Sequence, residues 1–309
     1  MYRFDSVVNG SYAVAPELVG RRFTPASQTV VVAGASIPNI DFNLVEEAPI
    51  NSDSIYMVRV QAGTFIQGNS KGQALGNNLA SPRHQVTLTR SYFVGIHEVT
   101  QNQWMKVMTT NPSATIGPKH PVAGVAYDSV LQFCNRMSML HGLTPVYSGA
   151  GATISANFDA DGYRLPTESE WEFAALTGDT TQIPGLQDLV PFQDATAYKL
   201  AVDEIAWYDH SLDVAGKVRE PQPVGGKKAN AFGLYDMSGN INEWTYCQRN
   251  SYTDESKTDP CNAPIVKVAL RGGHYTDDFS YVSVKQRIRG LEIIETDVDT
   301  GFRVVRTAK

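Results

Sequence analysis

The sequence is poor in cysteine, in basic charge and in long apolar runs, and each shortage excludes a class of function. Cys134, Cys247 and Cys261 are the only cysteines among 309 residues. No two are spaced as CxxC, so a cysteine-based structural zinc site has no support. The 26 Lys and Arg against 32 Asp and Glu leave a formal charge of −6. Without clustered cations such a surface opposes binding of a phosphate backbone, and no nucleic-acid partner is expected. No uninterrupted apolar stretch approaches the roughly 18 residues that cross a bilayer, so no membrane insertion by this chain is expected. The first residues, MYRFDSVVNGSY, lack the charged-then-apolar layout of a secretory leader. The six histidines fall in no HxxH or HExxH spacing.

What is present is aromatic and loop-forming. Hydrophobic residues at 42% supply a sizeable core, while 14 Tyr, 4 Trp, 25 Gly and 16 Pro point to irregular, aromatic-packed structure. The expected class is α+β with much irregular backbone. Residues 1–45 read as a small all-β module. Asn9-Gly10 has the chemistry of a type I′ hairpin turn between strands at 3–8 and 11–14. Further strand-like runs fall at 29–32 and 39–44. About 45 residues is near the lower limit for an independent core, so the start of this module is expected to be missing, or the module to lean on the next domain. EEAPINSDS (46–54) has the charge, proline and turn formers of a linker. Residues 55–309 form the second expected domain.

Three helices are predicted there. Thr100 and Gln103 make a capping box ahead of Trp104, Val107 and Met108. Asp128 is placed as the cap of a second helix with the stripe Val130, Phe133, Cys134 and Met137, closed by Gly142. Thr167 and Glu170 form another capping box, opening ESEWEFAAL with Trp171 inward.

The motifs VQAGTFIQGN (60–69), HEVTQNQW (97–104), PVAGVAYDSVLQFCNRMS (121–138), GLTPVY (142–147) and DADGYRLPTESEWEFAA (159–175) occur in order. They are followed by AWYDHS (206–211), PVGGKKANAFGLYDMSGNINEW (223–244), LRGG (270–273) and GFRVVR (301–306). Over about 250 residues this pattern resembles the formylglycine-generating, or sulfatase-modifying factor, family, which implies a C-type-lectin-like fold. The N-terminal stretches NGSYAVAP, FTPASQTVVVAGA and DFNL resemble the last strands of carboxypeptidase-regulatory-like or immunoglobulin-like surface repeats.

The family's enzymes are copper-dependent oxidases that convert a substrate cysteine to formylglycine with two cysteines just after the RGG motif. Soft thiolates suit Cu(I). By position those cysteines correspond to Asp277 and Val282, and no cysteine follows Cys261. The resemblance therefore implies a chain that is not an enzyme, with no catalytic residues and no copper. Cys134, on an apolar helix face, reads as an inert buried thiol. Cys247 and Cys261 bracket a polar loop and either pair in an oxidising compartment or remain two thiols.

Two further sites follow from resemblance. The family segment matching LYDMSGNINEW binds calcium, which implies side-chain ligands Asp236 and Glu243 and carbonyl ligands Gly239 and Ile241. Ca²⁺ takes six to eight hard oxygens and tolerates irregular geometry. The window 274–300, between LRGG and GFRVVR, resembles the hypervariable stretch of diversity-generating-retroelement variable proteins. The ligand-facing set it implies is His274, Tyr275, Thr276, Asp277, Asp278, Phe279, Tyr281, Lys285, Gln286 and Ile288. Val284 and Arg287 read as framework. Rigid aromatics interleaved with adaptable polar groups suit recognition. Exposed Ile288, Leu291, Ile293 and Ile294 would be costly unless they pack or meet a partner. The expected function is noncovalent display or binding of a macromolecular ligand, with a protein as the expected class, at a bacterial or phage-associated extracellular surface with the anchor outside this chain. The alternatives are a surface interaction module with one fixed partner and, against the missing cysteine pair, a copper-dependent formylglycine-generating oxidase. No EPN or QPD tripeptide occurs, so glycan binding is not implied.

Overall fold

The computed structural model describes residues 9–14, 22–24, 28–33, 43–45, 55–69, 80–177, 195–209, 220–262, 265–279, 281–287 and 289–309. The chain divides into two compact units, Met1–Pro49 and Ile50–Lys309.

In the first unit β1 (Gly10–Val14), β2 (Arg22–Thr24), β3 (Gln28–Val32) and β4 (Asn43–Val45) form two antiparallel pairs, β1 with β3 and β2 with β4. The expected Asn9-Gly10 turn is corrected here. Gly10 opens β1, pairs with Val32 and does not take the positive φ that a type I′ turn requires of it. Residues 1–8, the other arm of the expected hairpin, and the linker 46–54 lie outside the described residues.

The second unit begins with β5 (Met57–Val60), β6 (Gly63–Gln67), β7 (His84–Leu88) and β8 (Tyr92–Gly95). Helices α1 (Gln101–Val107) and α2 (Tyr127–Leu140) follow, then the short strands β9 (Tyr147–Ser148), β10 (Ser155–Ala156) and β11 (Tyr163–Arg164). Next come α3 (Glu168–Ala175), α4 (Ala195–Ile205), β12 (Asn242–Trp244), β13 (Lys257–Thr258) and β14 (Lys267–Arg271). The chain closes with β15 (Gly290–Glu292), β16 (Thr300–Gly301) and β17 (Val305–Thr307).

Strands from the two ends of this unit share one sheet, ordered β11-β17-β8-β5, in which β8 lies between β5 and β17. A second four-stranded sheet, β15-β14-β12-β16, pairs β12 antiparallel to β14 and parallel to β16. That sheet carries the RGG turn at one strand end and GFR just after another. Two large apolar clusters fill most of the interior among the described residues, beside a third, smaller one. One centres on Trp104, stacked on Phe133 with centroids 5.4 Å apart, with Phe302 edge-on to both. The other gathers Phe65, Trp171, Phe173 and Val305.

Both predicted capping boxes are present. Thr100 accepts from the Gln103 N–H, and Thr167 accepts from the Glu170 N–H, with each residue-three side chain reaching back. Asp128 is not the cap of α2. Ala126 occupies that position without a side-chain bond, and Asp128 sits in the first turn, where its charge still complements the helix N-terminus. Gly142, with φ +67°, follows the helix end in the left-handed conformation expected of it.

Candidate functional site

Helix α3 organises the region around the C-terminal window. Its sequence ESEWE places three carboxylates on one short element, and each meets a different buried arginine. Glu170 takes both guanidinium nitrogens of Arg164 at 2.6 and 2.7 Å. Glu172 accepts from Arg271 of the LRGG motif at 2.6 Å and from the Gly68 N–H at 2.7 Å. Glu168 pairs with Arg287 of the window at 2.5 and 2.9 Å, and lies 3.4 Å from Arg271. Burial alone would raise the Glu168 carboxyl, but Arg287 and then Arg271 outweigh it and hold it below its ordinary value. Arg287 also lies over the Tyr252 ring and donates to the Asn250 carbonyl. Framework placement of Arg287 and of buried Val284 follows from these contacts.

Trp171 extends the frame by donating to Glu243 at 2.8 Å. Glu243 is grasped by Arg303 of the GFR motif through Nε at 2.7 Å and Nη2 at 2.7 Å, with both side chains fully buried. The window thus enters and leaves through buried, charge-assisted bonds, the stronger kind of hydrogen bond.

Between those anchors the expected ligand-facing residues separate into three groups. Thr276, Asp278 and Tyr281 are exposed. Tyr275, Phe279 and Lys285 are half-buried. Tyr275 donates to Asp299 at 2.6 Å, and Phe279 packs on the small cluster of Val202, Ala206, Tyr208 and Val282. His274, Asp277 and Gln286 are buried rather than on the outer surface. A tight turn is the cause. The Asp277 carboxylate accepts the His274 N–H at 3.0 Å and the Arg289 guanidinium at 2.7 Å, drawing both residues inward. Burial holds the His274 imidazole below its ordinary value, with Asp277 opposing. Ile288 lies outside the described residues. Leu291 and Ile293 pack partly against the core, whereas Ile294 is 85% exposed.

Asp277, Tyr281 and Gln286 are nevertheless brought together. With Asn242, Leu270, Gly273 and Arg289 they line a cavity of about 140 Å³. Gly273, at φ +76°, keeps it open, because a Cβ there would stand 3.0 Å from the Tyr281 carbonyl and 3.2 Å from Asp277. Sequence reading missed Asn242 and Arg289. Asn242 stands between two expected calcium ligands, and strand alternation from Glu243 was the available signal that it faces elsewhere.

The expected calcium residues surround a buried charge imbalance. Asp236 accepts the Gly225 N–H at 2.7 Å through Oδ2, while its buried Oδ1 has no partner among the described residues. Burial, reinforced by Glu243 and opposed by Gly225 and Arg303, pushes its pKa up to about 6. Glu98, which sequence reading did not single out, is raised by burial and then by Asp236 and Glu243. Three carboxyls thus face one guanidinium. The donor chemistry fits a hard cation at Asp236. At Glu243 it does not, because that carboxylate is already bonded to Arg303 and Trp171. Among the described residues no three His, Cys, Asp or Glu side chains are arranged to hold a metal.

The cysteines have other occupations. Cys247 and Cys261 form a disulfide. Cys134 is buried, and burial pushes its thiol far above the ordinary range. No described helix is long and apolar enough to cross a membrane.

Comparison with known proteins agrees with this architecture. Treponema denticola variable protein 1 superposes with a TM-score of 0.67 at 26% identity, covering 82% of this chain and 95% of that one. PvdO from Pseudomonas aeruginosa shares the fold, with a TM-score of 0.63 at 21% identity over 84% of this chain and 97% of the other. In sequence, the chain is 33% identical over 188 residues to the chaperone protein LppX of Paenibacillus barcinonensis, covering 52% of this chain and 63% of that one. It is also 33% identical over 135 residues to the formylglycine-generating enzyme of Mycobacterium tuberculosis, covering 37% of this chain and 40% of the enzyme. The chain therefore spans less than two thirds of either relative's length. Residues 41–308 match the sulfatase-modifying factor enzyme 1-like domain, and the chain belongs to that family.

Proposed function

We propose that this protein binds a macromolecular ligand noncovalently, with the surface of the window 274–300 as its recognition face, and does no formylglycine chemistry. The observation that carries the reading is the contrast between frame and face. Arg271 and Arg303 lock the two ends of the window into buried ion pairs and Arg287 pins its middle, while Thr276, Asp278, Tyr281, Ile294 and Val298 stand exposed. A fixed backbone lets side chains there change without loss of fold. An oxidase would need two thiols beside the RGG turn. That ground is held by Asp277, salt-bridged to Arg289, and by Val282, buried among apolar groups.

The likeness to a variable protein supports diversified display. The likeness to a chaperone protein favours the second reading, a face dedicated to one partner. The Cys247–Cys261 disulfide supports a place outside the reducing cytoplasm. Calcium is part of this proposal as a stiffening ion, with Asp236 as its side-chain anchor and the Gly239 and Ile241 carbonyls as the further ligands the family resemblance implies, and Glu243 joining only if it yields part of its bond to Arg303.

The test is affinity capture from the source cells with the wild-type protein, with Tyr281→Ala and with Met139→Ser on α2. A partner retained by wild type and Met139→Ser but lost with Tyr281→Ala supports the reading. A partner indifferent to Tyr281 removes the window as the face.

A further inference from the structure

The cavity beside the window carries a chemical preference that goes beyond binding in general. At about 140 Å³ it lies well below the roughly 300–1,000 Å³ of small-molecule pockets and suits one side chain of a larger ligand. Its polar lining is specific. Asn242 is 1% exposed, and its Nδ2 has no hydrogen-bond partner among the described residues, an arrangement that is costly until something fills it. Opposite in charge but balanced, Asp277 and Arg289 face the same space and neutralise each other at 2.7 Å. Asp277 uses its two oxygens toward the His274 N–H and Arg289, and a carboxylate has about four acceptor positions, so it still accepts. Leu270 closes the space with an apolar wall.

We infer that this cavity receives a primary carboxamide, the side chain of an Asn or Gln on a protein ligand, with its amide paired to Asn242 and Asp277. The inference rests on the window being the recognition face. A carboxamide brings both an acceptor and a donor, so it satisfies the Asn242 amide in either orientation while also donating to Asp277. A carboxylate brings acceptors alone and would meet the Asp277 carboxylate with like charge. A Lys or Arg side chain would meet Arg289, which already holds the carboxylate. An apolar side chain of equal size would leave Asn242 without a partner.

The experiment is a selection of random peptides displayed on phage against the full chain, followed by affinity measurement of the winners. Selected peptides are expected to share one Asn or Gln position. Replacing it by Glu or Met should weaken binding at least about tenfold, the scale of a buried donor left unmet. Asn242→Leu should remove that discrimination. Because Asn242 is buried, the half-exposed Arg289 supplies a second variant that does not endanger the core. Arg289→Met uncovers the Asp277 charge, and the preference should move from Gln to Lys at the same peptide position. Peptides that lose affinity in Tyr281→Ala yet ignore both the Gln→Glu change and Arg289→Met would overturn the carboxamide inference and leave the window as the binding face. Peptides indifferent to Tyr281, or no selectable peptide at micromolar affinity, would overturn both.

Discussion

Glu168→Leu probes the frame that holds the window. In the wild type its carboxylate serves Arg287 at 2.5 and 2.9 Å and stands 3.4 Å from Arg271, and the two guanidinium side chains are 3% and 0% exposed. Removing one partner of a buried pair leaves charge in a poorly solvating interior, at a cost of about 3–5 kcal/mol. An exposed pair such as Lys228–Glu204, with side chains 70% and 65% exposed, is worth at most about 1 kcal/mol. At roughly 2–4 °C per kcal/mol for a domain of this size class, Glu168→Leu should lower the melting temperature by about 10 °C, and Lys228→Ala by very little. The double variant Glu168→Leu/Arg287→Met replaces the pair with apolar groups and should recover more than half of the loss, since the desolvation penalty leaves with the charges. Urea unfolding of the wild type, of the single variants Glu168→Leu and Arg287→Met, and of the double variant gives the coupling energy. A single-variant loss under about 1 kcal/mol, or losses that simply add in the double variant, would refute the idea that buried charge fixes the window.

The carboxyl cluster predicts an unusual pH dependence in chelator. Asp236 binds its proton more tightly folded, with a pKa near 6 against an ordinary 3.8, so its contribution is present at low pH and is lost as pH rises from about 4 through 6. Added calcium should abolish that decline, and Asp236→Asn should remove both the decline and the calcium effect; a flat profile in chelator, read by thermal melting, contradicts the proposal. Reduction of Cys247–Cys261, which spans 14 positions, should cost about 3 kcal/mol on loop-closure grounds, seen as an earlier urea midpoint in reductant. Gly239→Ala should destabilise by more than about 1 kcal/mol, because the backbone sits at φ +74° and the new Cβ would fall on the Trp207 carbonyl; an unchanged melting temperature would show that this turn relaxes freely.

Local chemistry was the readable part of the sequence. The capping boxes at Thr100 and Thr167 involve residues three apart, and both are present. The order of motifs carried the fold because it spans most of the second unit. Helix α4 went unnoticed, although TAYKLAVDEI has helical periodicity and Asp194, a residue type suited to an N-cap, stands directly before it. Pairings between distant residues were closed to sequence reading. Arg287 looked like framework, but its partner Glu168 lies 119 positions away. The same holds for the cavity, which joins Asn242 of β12 to Asp277 and Arg289 across two sheet strands. The burial of His274 and Asp277 comes from a turn closed by a side chain, and a run of mixed polar residues does not announce such a turn.

The most direct test of a recognition face on a fixed frame is a saturation library over positions 274–300, sorted for folded protein under thermal challenge. The account predicts free substitution at Thr276, Asp278, Tyr281, Ile294 and Val298, and intolerance at Asp277, Val282, Val284 and Arg287. Equal intolerance at both sets would mean that the window is core, and would contradict the central claim.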